Sequence, residues 1–161
     1  MNYLSYLKET LAGLLFFLVL TLSSQTYYVD PDGGSTDGLS WGNAFNTIEA
    51  ALAVASDGSQ IWIANGNYAP SSQLVVPGGV QMYGGFEGVS GAQENSISQR
   101  NWLINQVIID GAGISPSTML ISNSVAQVTV DGVYLLNGVT DSNAFDIDKF
   151  RFGCENEPSS F

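Results

Sequence analysis

The hydrophobic pattern of this chain changes period twice. First comes a near-continuous apolar block, "LAGLLFFLVLTL" at Leu11–Leu22, followed by the small polar "SSQ". The block is shorter than the roughly 20 apolar residues of a bilayer-spanning helix. An apolar core followed by small residues reads instead as a cleaved secretory signal over residues 1–25, leaving no stable transmembrane segment after cleavage. A short β-type run follows at Tyr27-Tyr28-Val29. The period then turns helical once, with Ile48, Ala51, Leu52 and Ala55 at i, i+3, i+4 and i+7. Asn46-Thr47-Ile48-Glu49 offers the N-cap and the following glutamate of a capping box. Asp57-Gly58 closes the helix as a glycine C-cap would.

Beyond that helix, short β-rich runs recur, each closed by a glycine-containing turn: "IWIANG" (Ile61–Gly66), "VQMYGG" (Val80–Gly85), "QVIIDG" (Gln106–Gly111) and "VTVDGVYLLNG" (Val128–Gly138). Aligned on Gly66, Gly85, Gly111 and Gly132, they repeat at intervals of 19, 26 and 21 residues. A period near 20 with one apolar run per repeat is what a parallel solenoid requires, each turn of chain stacking its strand on the last at about 4.8 Å. Leu74–Val76 and Met119–Ile121 fall between the main runs as second strands of the same coils. Glu87–Trp102 is polar and lacks a strand period, so it reads as an insertion. A β-sandwich also uses short strands, but its faces alternate. "IWIA" and "VIID" are nearly continuous, as strands of buried parallel sheets are. The expected fold is therefore all-β, a parallel β-helix of about four coils over residues 26–140, some 15–20 Å of stack, with one short N-terminal helix capping its open end. Residues 141–161 have no strand period and read as an irregular or truncated tail.

Composition narrows the chemistry. Four Lys and Arg stand against fifteen Asp and Glu, a formal net charge of −11. Between the signal and Lys149, Arg100 is the only basic residue, too few cations to neutralise nucleic-acid phosphates. Histidine is absent, which removes Ser-His, Cys-His and His-ligated metal chemistry together. The single Cys154 has no partner for an internal disulfide.

The stretch "YYVDPDGGSTDGLSWGNAFNTIEAALAVASDGSQIWIANGNY" resembles the N-terminal start of bacterial right-handed parallel β-helix proteins of the pectin-lyase-like superfold. It is especially similar to surface proteins related to polymorphic outer-membrane proteins. "YGGFEG", "SQRNW", "VIIDG" and "VTVDGVYLLNG" follow in the same order, so the resemblance spans about Tyr27 to Gly138. It implies right-handed coiling, a secreted, cell-surface or outer-membrane location, and further coils downstream. A superfold hosts many functions, so it implies much less about activity.

Three sets of residues are candidates for a site. Asp30, Asp32 and Asp37 put carboxylates among glycines, as a Ca²⁺ loop does; yet Ser35 and Trp41 stand where an EF-hand has Gly and Glu, and the stretch is also good turn chemistry. Asp110 and Asp131 each precede a turn glycine, so a solenoid stacks them one coil apart, where a cation would relieve their repulsion. The resemblance adds that adjacent-coil aspartates bind calcium in pectate lyases, and paired carboxylates also hydrolyse glycosides at about 5–9.5 Å. A lyase needs a base as well. Only Arg100 is available, in the insertion beside Glu94 and Gln99, where an ion pair is its expected role. Among the aromatics, Trp41, Trp62, Tyr68 and Tyr134 are expected in core or coil-edge packing. Tyr83, Phe86 and Trp102 flank the insertion and, with Arg100, form the expected ligand patch.

The expectation is an exported, non-catalytic β-helix domain that contacts glycans or cell-surface molecules and requires no cofactor. The alternatives are a polysaccharide lyase or glycoside hydrolase of the same fold, and an inactive fragment of a longer protein.

Overall fold

The computed structural model describes residues 24–91, 93–114, 117–122 and 126–138. The expected signal over residues 1–25 thus lies almost wholly outside the described residues, as do Cys154 and the tail at 141–161. Among the described residues no helix is long and apolar enough to cross a membrane.

The described chain is mostly β, with one α-helix. Its strands are β1 (Thr26–Val29), β2 (Gln60–Ala64), β3 (Gly66–Tyr68), β4 (Leu74–Val76), β5 (Gln81–Phe86), β6 (Val107–Asp110), β7 (Met119–Ile121), β8 (Thr129–Asp131) and β9 (Val133–Leu136), and the helix α1 (Ile48–Val54) lies between β1 and β2. The strands form three sheets, ordered β1-β2-β5-β8, β3-β6-β9 and β4-β7. Every pairing is parallel, which rules out the antiparallel sandwich for these residues. From β2 onward the chain visits the first, second and third sheets in turn, then repeats.

That order corrects the repeat read from the glycines. "VQMYGG" and "QVIIDG" are not successive copies of one strand; they are β5 and β6, neighbours in chain order on different sheets. The described residues make two full rounds and part of a third after β1, not four. Gly66 and Gly132 mark the corner between the first and second sheets, and Gly85 is the second-last residue of β5, before the insertion. Gly111 follows β6 at the next corner. Glycine suits any sharp corner, so its positions alone do not say which corner is which. The runs "IWIANG" and "VTVDGVYLLNG" each bend at such a corner and contribute to two strands.

The inner faces of all three sheets share one core. Val29, Ile61, Ile63 and Met82 from the first sheet meet Val107, Ile109 and Val133 from the second and Leu74 and Val76 from the third. Ile48, Ala51 and Leu52 of α1 close over it, the stripe that the helical period predicts. Thr47 is the N-cap, its hydroxyl accepting from the Ala50 amide at 3.3 Å. Glu49 reaches away instead and accepts from the Ser71 amide at 2.8 Å. The helix ends earlier than Gly58, at the extended Ala55. Each side chain fully withdrawn from water in this core contributes about 1.5–3 kcal/mol, which is why the inward period survives two long interruptions.

Candidate functional site

The first sheet is partly covered on its outer face too, where Trp62, Ala64 and Phe86 are buried. Register places Tyr28, Trp62, Tyr83 and Asp131 in one outward ladder across β1, β2, β5 and β8. A bulge after Ile63 brings Ala64 opposite Phe86, and Phe86 joins the same side. Trp62 stacks on Phe86 with centroids 4.8 Å apart and planes 8° from parallel. Trp41 meets Phe86 at 5.4 Å and Tyr28 edge-on at 4.8 Å. This second apolar cluster explains the unbroken run of "IWIA": Ile61 and Ile63 face the core, while Trp62 and Ala64 face the aromatic layer.

Two long segments cover that layer, the loop from Asp30 to Asn46 and the insertion after Phe86. They are fastened at one point. Glu87 is in the right-handed helical region and Gly88 in the left-handed one, at φ +74°. That alternation turns successive amides toward one concavity that suits an anion. Here the chain's own carboxylates fill it. Glu94 accepts from the Glu87 amide at 2.7 Å and the Gly88 amide at 3.2 Å. Asp30 accepts from the Val89 amide at 2.7 Å through one oxygen and from Asp32 at 2.9 Å through the other. Both carboxylates are nearly sealed from water, at 3% and 4% exposure. Burial of a charged group at that depth demands such donors, and bonds to a charged acceptor are the strong kind. Trp41 adds a bond from its indole nitrogen to the Glu94 carbonyl at 2.8 Å. Asn46 ties the loop from within, its amide nitrogen donating to the carbonyls of Asp30, Pro31 and Gly33.

Asp30 is therefore an internal clamp, and Asp32 and Asp37 remain on the exposed part of the loop. Asp37 accepts from the Leu39 amide at 3.0 Å, an ordinary Asx turn. The stacking expected of Asp110 and Asp131 does not occur. Asp131 lies opposite Tyr83 on the first sheet, and Asp110 opposite Leu136 on the second. Asp110 accepts from the Ala112 amide and the Asn137 side chain, each at 3.0 Å. Asp131 forms an ion pair with Arg100. That pair also corrects the partner expected for Arg100, because Glu94 is turned inward to the amides. The guanidinium covers Tyr83, 5.2 Å from its ring centre. Among the described residues no three of Cys, Asp and Glu gather around a common point as a metal site would. With both Asp30 oxygens and one Asp37 oxygen already held by amides, the melting temperature is expected to be the same in calcium and in chelator; a rise in calcium of several degrees would restore the loop as a ligand.

Of the expected ligand patch, Phe86 is a correction: it is fully buried in the aromatic layer. Tyr83 and Arg100 are partly covered, and Trp102 is partly exposed. Trp102 sits on a turn held firmly to β5. The Asn101 amide donates to the Gly85 carbonyl at 2.7 Å, and a Cβ at Gly85 would lie 2.8 Å from the Trp102 backbone. The same turn presents Leu103 and Ile104 at 62% and 76% exposure. Sequence reasoning set Glu94 beside Arg100 and missed its inward role, of which its polar setting gave no sign.

Tyr68 is the group most altered by its surroundings. Burial, then the negative charges of Asp30 and Asp32, push its hydroxyl well above the ordinary tyrosine range. It donates to the Ala64 carbonyl at 2.8 Å. Because the fold favours the neutral phenol, this contribution is complete below pH ~10 and falls away as pH rises further. Tyr68→Phe is expected to flatten the loss of stability between about pH 10 and 12, while weakening the fold near neutrality by about 1 kcal/mol for the lost hydrogen bond. Denaturant melts of both proteins across that range measure it. Parallel curves would show that Tyr68 ionises in the native state.

No family model, no curated protein and no solved structure matches this chain.

Proposed function

We propose that the three sheets are the faces of a right-handed parallel β-helix of the pectin-lyase-like kind, entered through β1 and capped by α1. The cyclic order in which the strands visit the sheets supports this reading, as does the core shared by all three. On that scaffold the domain acts as an exported, non-catalytic contact module for glycans at a cell surface. Export rests on the apolar Leu11–Leu22 segment. The surface it offers is the turn carrying Trp102, Leu103 and Ile104, beside the Tyr83–Arg100–Asp131 cluster. Trp102 is the observation that carries the contact role: a partly exposed indole, on a backbone fixed to β5 and next to the exposed Leu103 and Ile104, offers apolar contact area with little ordering cost.

The test is a panel of neutral polysaccharides and polyuronides titrated against the protein, with and without calcium, followed by tryptophan fluorescence. Binding without turnover is expected, and Trp102→Ala should weaken it about tenfold, or roughly 1.4 kcal/mol. Unsaturated products that vanish with Asp110→Ala or Asp131→Ala would establish the polysaccharide lyase instead.

A further inference from the structure

The first edges of the second and third sheets are open beside α1. β3 pairs only with β6 and β4 only with β7 among the described strands, so each turns its other side away from the sheet. Parallel ladders use alternate residues. The Leu74 amide donates to Thr118 and the Val76 carbonyl accepts from Ser122, both toward β7. The intervening Val75 therefore directs its amide and carbonyl to the open side. On β3 the Gly66 amide donates to Gln106, which leaves Asn67 directed the same way.

Two hollows lie along this border. One, of about 90 Å³, is walled by Pro31, Tyr68 and Pro70 with Thr47, Glu49 and Asn67. The other, of about 200 Å³, lies between Leu52 and Ala53 of α1 and Leu74 and Val75 of β4. Glu49 lines both. The exposed Asp32 is next in sequence to Pro31 of the first hollow, so a second carboxylate stands near Glu49.

We propose that this groove binds an extended peptide from another protein, laid parallel along the open edges, with a basic side chain in the Tyr68 hollow and an apolar one against Leu52 and Val75. Strand addition supplies backbone hydrogen bonds wherever an edge is free, and the pockets select the side chains. The charge argues for the basic residue. Apolar walls take the aliphatic stem of lysine or arginine, and Glu49, the acidic residue lining the hollow, answers its charged head. This role does not depend on the glycan surface, which lies on the outer face of the first sheet.

The probe is a labelled, end-capped peptide of alternating valine and lysine, titrated by anisotropy into the full chain. Saturable binding at about 20 mM salt is expected, weakening at least about tenfold near 300 mM as the charge contact is screened. The glutamate counterpart should not bind. Ala53→Arg, at an exposed helix position, should fill the groove and weaken binding at least about tenfold. Val75→Pro, which removes the outward amide, should do the same with an unchanged circular dichroism spectrum. If Val75→Pro does not fold, Ala53→Arg alone decides. Absence of binding up to about 1 mM, equal binding of both peptides, or indifference to Ala53→Arg would overturn the proposal. Concentration-dependent dimers abolished by Ala53→Arg, without peptide binding, would also overturn it and assign the groove to a second copy.

Discussion

Gly88→Ala is expected to destabilise the domain by at least about 3 kcal/mol, combining backbone strain with a clash that no single side chain can relieve. Gly88 has φ +74°, where a Cβ costs about 1–2 kcal/mol. That Cβ would also press into the Asp30 carboxylate and lie 2.7 Å from the Ala64 methyl. Asp30 cannot simply swing away, because its oxygens hold the Val89 and Asp32 amides. Moving it strands buried donors, at about 1–3 kcal/mol each. Gly58→Ala separates the two effects: φ is +81°, yet nothing lies within 4 Å of the added carbon. It should lose only the backbone part, about 1–2 kcal/mol. Denaturant midpoints of the two variants measure the difference. Equal losses would mean that the 87–89 turn is not clamped by the buried carboxylates.

The contrast between those glycines shows what sequence patterns can and cannot carry. The helix stripe, the strand runs, the interposed position of Leu74–Val76 and Met119–Ile121, and the insertion after Phe86 were all legible, because each is a local period or its interruption. The assignment of runs to sheets was not. A glycine after Asp110 and one after Asp131 look alike in sequence, though they sit at different corners, and the expected carboxylate stack fell with that likeness. The clamp was hidden for another reason. Asp30 and Glu94 are 64 positions apart, and each sits in a polar, glycine-bearing stretch that advertises exposure. Only the folding of two loops over one sheet face buries them together, and only the amides of 87–89 make that burial tolerable. Asn46 illustrates the same limit on a shorter scale, since its place before a helix suggests a cap while its side chain binds three loop carbonyls.

Phe86→Ala should then be among the most damaging substitutions available, at about 3–5 kcal/mol. Its ring is fully buried, stacked on Trp62 and packed against Trp41. Removing it leaves the cavity at the junction of sheet, loop and insertion, where the Glu94 and Asp30 bonds hold the walls apart and hinder collapse. A domain with 5–15 kcal/mol of stability has little left after such a loss. Leu103→Ala, at 62% exposure on the neighbouring turn, should cost under about 0.5 kcal/mol. Tryptophan emission offers a second reading, because Trp41 and Trp62 lose the same neighbour and should shift to the red in the native baseline. A ligand-patch residue would behave in the opposite way, weakening glycan binding while leaving the melt almost unchanged. Measured side by side, Phe86→Ala and Trp102→Ala therefore separate the layer that holds the insertion in place from the surface the insertion presents.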